Sequence, residues 1–357
     1  MNRFEYIRPA SVAEAVLAAA VPGSAYLAAG TNLVDLMKGG VVRPERLVDV
    51  THLPGLDQIS FQPDGAVRIG ALVRNAELAH NPEFARGFPA VAEALLSGAS
   101  AQLRNAATVG GNVLQRTRCA YFYDVASACN KRVPGAGCEA IGGQTRTHAV
   151  LGWSDRCIAT HPSDFCVPLA AFDAVVEIAG EAGSRLVALE EFYLLPGASP
   201  ERETVLAPGE LIVAIILPAA ARGFASHARY LKVRDRTSYA FAVVSAAAGL
   251  RMEHGRIAEA RLALGGVAAK PWRARAAEAV LAGAPPSVEI YRRAAEAALA
   301  EARPSGDNAF KIELARRLLV RALTLAVSGT PERMPALPAS PFATSPFASA
   351  TGDIVYV

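Results

Sequence analysis

Gln102-Leu103-Arg104-Asn105-Ala106-Ala107-Thr108-Val109-Gly110-Gly111-Asn112 decides the fold once it is set beside a second glycine turn, Ala28-Ala29-Gly30-Thr31-Asn32-Leu33, which follows an apolar strand. Glycines at such places let backbone N–H groups close on an anion, because no Cβ blocks the approach and positive φ is open to them. Neither turn carries the three spaced glycines of a dinucleotide fingerprint, and neither is a P-loop, so a Rossmann or Walker site is not supported. Taken singly, each is also what ordinary turn chemistry asks for.

Working outward, residues 26–29, 32–38, 46–50, 67–73 and a helix-like 88–97 alternate short apolar strands with helical stretches. Further on, 174–178, 185–189 and 210–217 read as strands, and 243–252 with 257–265 flank Glu253-His254-Gly255-Arg256 as an antiparallel hairpin. Apolar residues at helical spacing predict helices over 271–281, 287–301 and 309–327, the last with Arg316, Arg317 and Arg321 on its polar face. At the start, Ser11-Val12-Ala13-Glu14 reads as a capping box opening a short helix. The run 15–21 before Pro22-Gly23 imitates a signal-peptide core, but Glu5 and Glu14 argue against it, so the chain is expected to carry no address of its own.

The 357 residues are 52% hydrophobic and 19% charged, enough apolar surface to exclude a disordered bulk. Thirty-six basic and 33 acidic residues leave a net charge of +3, without the one-signed stripe that nucleic acid or an anionic membrane would require. The longest apolar runs, such as 211–217, are far shorter than a membrane span. Small molecules and other proteins remain as partners. From Thr330 onward five prolines and many Ala and Ser residues lack periodicity, so 331–357 is expected to be an extended arm. Phe342, Phe347, Ile354, Val355 and Tyr356 would anchor it on a neighbouring subunit.

In combination the motifs are specific. Phe4-Glu5-Tyr6 with Pro9, the two glycine turns, His161-Pro162-Ser163-Asp164, 206–211, Tyr230-Leu231-Lys232 and 264–271 occur in one order, and with them the chain resembles the FAD-binding subunit of the molybdenum hydroxylases, relatives of xanthine dehydrogenase and carbon monoxide dehydrogenase. The resemblance runs from about residue 4 to about residue 328. It implies an α+β fold of the vanillyl-alcohol-oxidase type, two α/β subdomains clasping FAD and a C-terminal α/β domain like that of the CO dehydrogenase flavoprotein. The implied division is 1–57, 58–222, 223–330 and the arm 331–357.

The resemblance also implies roles. Leu27, Ala28, Ala29, Gly30, Thr31, Asn32 and Leu33 would form the loop around the FAD pyrophosphate. Ala107, Thr108, Gly110, Gly111 and Asn112 would line the adenosine and ribityl path, with Leu114 against the isoalloxazine. Asp164 would bond a ribityl or ribose hydroxyl, and Lys232 would contact the flavin region. Ala29 stands where the family commonly has glycine, and Asn32 where it has Asp.

Four of the five cysteines, Cys119, Cys129, Cys138 and Cys157, fall within 39 residues, inside a stretch of about 45 (115–159) that simpler members of the family lack. It has few large aliphatics, so something other than a core of its own must hold it together. The residues alone leave disulfides, a zinc site, unrelated buried thiols and an iron–sulfur cluster open, although no close Cys pair of the usual zinc kind is present. The stretch is similar to the insertion in the FAD subunit of heterotrimeric bacterial aldehyde oxidoreductases, and that resemblance implies a 4Fe-4S cluster on these four thiolates. Arg118, Lys131 and Arg132 would then either tune the cluster or form a solvated basic loop. Cys166 reads as a core thiol.

The resemblance implies an electron-transfer subunit of a molybdenum-dependent aldehyde oxidoreductase. Its partners would be a large molybdopterin subunit and a small 2Fe-2S subunit, in the cytoplasm or, by co-export with a signal-bearing small subunit, in the periplasm. The alternatives are the FAD subunit of a hydroxybenzoyl-CoA reductase-like enzyme and a self-sufficient flavin oxidase. The six histidines, His52, His80, His148, His161, His227 and His254, lack metal-ligand spacing, and His161 is expected to pack or support a turn.

Overall fold

Residues 1–332 are described by a computed structural model in which three sheets share out the chain. The first is parallel, with β1 (Glu5–Ile7), β2 (Ser24–Leu27) and β3 (Arg46–Asp49) in the order β1-β3-β2. Parallel neighbours need a crossover, and the helices Val12–Ala19 and Leu33–Lys38 supply it. Ser11 opens the first helix, its Oγ accepting from the Glu14 N–H at 3.2 Å. The Glu14 carboxylate returns to the N–H of Ala10, one residue earlier than a standard capping box, at 2.9 Å.

The second sheet holds β4 (Ile59–Phe61), β5 (Val67–Gly70), β6 (Val175–Gly180), β7 (Gly183–Ala188) and β8 (Leu211–Leu217) in the antiparallel order β4-β5-β8-β6-β7. The unbroken apolar run Leu-Ile-Val-Ala-Ile-Ile-Leu takes the centre because both of its faces are covered. Ile212, Ile215 and Leu217 join the main core, while Leu211 and Val213 meet Ala15 and Val16 of the first helix. The exposed β7 closes the edge. Between β5 and β6 the chain makes short helices and the cysteine segment instead of further strands.

The third sheet is antiparallel, β12-β11-β10-β9, from β9 (Ala228–Val233), β10 (Val244–Glu253), β11 (Arg256–Gly265) and β12 (Trp272–Arg273). His254 and Gly255 both have positive φ, 50° and 75°, in the two-residue turn whose twist matches the strands it joins, at the position expected from sequence. The predicted helix over 271–281 starts only at Arg275, because Trp272 and Arg273 pair with β11. The buried Arg273 guanidinium is held by Glu278 and by Asp173 at 2.9 Å, a long-range demand that outweighs local helix preference. The helices Arg275–Leu281 and Phe310–Val327 cover one face of this sheet, and Val288–Ala298 packs on both of them, within the core that holds Ala246, Ala248 and Leu250.

Its other face meets the core built on the second sheet. Ala247 belongs to that core, and a Cβ on neighbouring Gly249 would stand 2.5 Å from Phe172 Cε1. Gly249→Val is therefore expected to overpack this seam and cost about 1–3 kcal/mol, read as a lower denaturation midpoint at unchanged m-value. Among the described residues no helix is long and apolar enough to cross a membrane. Residues 333–357, and with them the anchors expected on the arm, lie outside the described residues.

Candidate functional site

A cavity of about 730 Å³ opens between segments that flank the three sheets. Its first wall is the turn after β2. Gly30 has φ +73°, and a Cβ there would approach Val34 Cγ2 to 2.8 Å, so glycine is required to place Thr31 and Asn32 on the wall. Asn32 Oδ1 accepts from the Arg116 N–H at 2.8 Å, which ties this turn to the start of the cysteine segment. The second wall is the turn before the helix Val109–Val113. Thr108 caps that helix by accepting from the Gly111 N–H at 3.2 Å, and Gly110 packs so closely on Ala71 that a Cβ would come within 2.9 Å of the Ala71 Cβ.

The third wall is charged. Asp164 is buried and accepts from Tyr230 Oη at 2.6 Å and from Lys232 Nζ at 2.7 Å, while Lys232 also donates to the Ser97 carbonyl at 3.2 Å. Burial raises the Asp164 pKa, and Lys232 and Tyr230 pull against that rise. His161 separates the cavity from a smaller chamber walled by Leu114, Lys131, Tyr193 and Glu203. Its Nδ1 accepts from the Ser163 N–H at 3.4 Å, its ring lies 4.6 Å from Tyr193, and burial lowers its pKa to about 4. The expected packing and turn roles are both present, leaving Nε2 without a protein partner.

The four clustered cysteines converge behind this cavity. The backbones of Cys129 and Cys138 pair antiparallel at an isolated β-bridge, and the Cys119 thiol lies near enough to Cys129 and Cys157, as Cys157 does to Cys138 and Cys129, for their charges to interact. All are free thiols, and Cys119 reaches the cavity wall. Burial pushes Cys119 up to about 11, opposed by the N–H groups of Phe122 and Tyr121; Cys157 is raised by burial too, opposed by Lys131 and the Ala159 N–H. Such donors favour sulfur in its charged form. Among the described residues no three His, Cys, Asp or Glu side chains stand as ligands of a single ion. A four-iron cluster makes a different demand, since each thiolate binds its own iron.

The segment borrows its support. Phe122 and Cys129 pack on Leu36 and Val41, Asn130 links the Arg156 carbonyl at 2.9 Å to the Gly137 N–H at 2.8 Å, and the Arg132 guanidinium donates to the carbonyls of Tyr121 and Phe122 at 3.0 and 2.7 Å. Arg132 is thus a loop tie, not a solvated charge. Lys131 is buried against Glu203 at 2.9 Å, and Arg118 stacks on Phe241 at 4.8 Å. Cys166 is apart, buried in the main core with Sγ 3.2 Å from Tyr193 Oη, the core thiol expected from sequence.

Residues 2–220 match the family described as the FAD binding domain in molybdopterin dehydrogenase, and 229–326 match the CO dehydrogenase flavoprotein C-terminal domain. The chain belongs to the FAD-binding subunits of the molybdenum hydroxylases. It is 49% identical over 328 residues to the aldehyde oxidoreductase FAD-binding subunit PaoB of Escherichia coli, covering 91% of this chain and 99% of that protein. It is 28% identical to the carbon monoxide dehydrogenase medium chain of Hydrogenophaga pseudoflava, covering 91% and 97%. A solved carbon monoxide dehydrogenase from that organism superposes with a TM-score of 0.72 at 28% identity, over 92% of this chain and 98% of that one. Quinoline 2-oxidoreductase from Pseudomonas putida gives 0.70 at 26% identity, again over 92% and 98%.

This flavoprotein subunit has a cavity suited to FAD. Its volume lies in the range of cofactor sites, and Asn75 Oδ1, Arg104 Nε and His161 Nε2 are buried polar atoms of its lining residues that have no protein partner. Of the residues singled out from sequence, Thr31, Asn32, Ala107, Gly111 and Asn112 line it, as do Asp164 and Lys232. Leu27, Ala28, Ala29, Gly30 and Leu33 stand behind the first turn, Thr108 and Gly110 behind the second, and Leu114 faces the smaller chamber. Sequence reasoning missed Asn75, Tyr239 and Phe241 on the wall. No motif signals them, because Asn75 opens a short helix while Tyr239 and Phe241 share a loop more than 160 residues further along the chain.

Proposed function

We propose that this chain is the electron-transfer subunit of a molybdenum-dependent aldehyde oxidoreductase, receiving electrons from a small 2Fe-2S subunit, partnered with a large molybdopterin subunit, and delivering them to an external acceptor. One observation carries the reading beyond FAD binding: Cys119 belongs both to the four-cysteine group and to the wall of the large cavity. The 49% identity to an aldehyde oxidoreductase subunit supports the substrate class. In this reading 1–57, 58–222 and 223–330 are the two FAD subdomains and the C-terminal domain, each built around one of the three sheets.

Bound FAD supplies one- and two-electron chemistry, and a 4Fe-4S cluster one-electron exchange. The chain's own residues bind and orient. In this reading the first glycine turn would carry the pyrophosphate and the second the adenosine and ribityl path, and Asp164 is held by Lys232 and Tyr230 to accept from a hydroxyl. Cys119, Cys129, Cys138 and Cys157 would hold the cluster, with backbone N–H groups at Cys119 and Cys157 compensating thiolate charge.

The purified complex is expected to contain about one acid-releasable FAD per copy of this chain, and this chain to contribute about four iron and about four acid-labile sulfide. Serine at any of the four cysteines should lower both, while Cys166→Ser leaves them unchanged. Zinc in place of iron, or iron loss on Cys166→Ser, overturns the ligand assignment. A flavin-free complex overturns the reading as a whole.

A further inference from the structure

We infer that His148 is a tuning residue for the proposed cluster, donating an Nε2–H hydrogen bond to the sulfur of Cys119 and raising the cluster's reduction potential. The inference rests on the four-cysteine reading above and adds to it a residue that is not a ligand.

The geometry is local and well braced. His148 Nε2 lies 3.2 Å from Cys119 Sγ, and the imidazole is 4% exposed. The ring sits beside Tyr121 at 6.3 Å between centroids and on the wall of the large cavity, which Cys119 lines as well. Its backbone is clamped from the C-terminal domain. The His148 carbonyl accepts from Lys311 Nζ at 2.7 Å and from Asn308 Nδ2 at 3.1 Å, and both of those side chains are completely buried. The His148 N–H donates to the Thr145 carbonyl at 2.9 Å, so the ring is fixed from both sides of its own peptide.

The direction of the bond follows from the chemistry of the sulfur. A thiolate bound to iron has no proton to give, so a nitrogen in hydrogen-bond contact with it must be the donor. The other ring nitrogen, Nδ1, is buried without a hydrogen-bond partner of normal geometry. An N–H directed at a cluster sulfur draws off negative charge, and the reduced cluster carries more of it than the oxidised one. Reduction is favoured, by one electron, with no bond made or broken at His148 and no proton moved.

The test uses the assembled complex with His148→Phe and His148→Gln, measuring iron and sulfide content together with an EPR-monitored redox titration. His148→Phe should keep about four iron and shift the oxidised-to-reduced ratio at fixed potential about tenfold toward the oxidised form, a midpoint ~59 mV lower. His148→Gln keeps an N–H donor and should recover most of the shift. An unchanged midpoint in an iron-replete His148→Phe complex overturns the inference. So does loss of iron in that variant, because a hydrogen-bond donor is not a ligand. Iron missing from the wild-type complex is a separate result, which would remove the cluster reading itself.

Discussion

Lys232→Met is expected to empty the flavin site and to lower the thermal midpoint by on the order of 10 °C. Lys232 and Asp164 form an ion pair with side chains 4% and 7% exposed, joined at 2.7 Å. Removing one partner of a buried pair leaves an uncompensated charge, at about 3–5 kcal/mol. Burial already pushes the Asp164 pKa upward, so without Lys232 the carboxyl relieves the strain by taking a proton, and the charged, Lys232-oriented acceptor proposed for a flavin hydroxyl is lost. Adding Asp164→Asn should return most of the midpoint, since no charge is left to bury, but not the flavin. The check is a double-mutant cycle read by calorimetry and by the ratio of flavin to protein absorbance. A Lys232→Met chain with wild-type midpoint and full FAD contradicts the account.

Lys311→Met should be the second most damaging single change, and its effect should depend on pH. The Lys311 amine is fully buried in the helix Phe310–Val327 and donates to the carbonyls of Thr147, His148 and Gly266 at 3.1, 2.7 and 2.6 Å. No carboxylate answers its charge among these contacts. Methionine fills similar space but leaves carbonyls unpaired, which costs about 1–3 kcal/mol for each one without another donor. His148 keeps the Asn308 amide, so the expected total is about 3 kcal/mol.

Burial pulls the Lys311 pKa down from 10.5 to about 7, with Arg146 adding repulsion. The unfolded chain therefore holds the proton more tightly than the folded one, and between pH 7 and 10.5 the Lys311 contribution to stability rises with pH. Below pH 7 both states are charged and the slope vanishes. Wild-type minus variant midpoints measured from pH 6 to 10 should widen toward the alkaline end. A constant difference would show that the amine stays charged throughout.

What was legible in the sequence lay within a few residues of itself. The Ser11 and Glu14 cap, the two-residue turn at His254-Gly255, the doubly buried run of β8 and the helix over Phe310–Val327 depend on side-chain size, spacing and the φ that a turn demands. The two glycine turns and the grouping of four cysteines are equally local, and their order along the chain pointed to the family. Even local signals gave way where a distant partner asked for more. Trp272 and Arg273 lie in a predicted helix, yet they form β12 because Leu264 supplies a strand partner and Asp173 and Glu278 supply charge for a buried guanidinium.

The site itself belongs to tertiary structure. Asp164 meets Lys232 across 68 residues, and Cys119 meets His148 across 29. His148 is braced by Asn308 and Lys311 from the C-terminal domain, whereas in the sequence it is one scattered histidine among six. No window of sequence contains these pairs, because the free energy that joins them comes from burying three separate cores against one another, and only the packed chain brings their polar groups within hydrogen-bond distance.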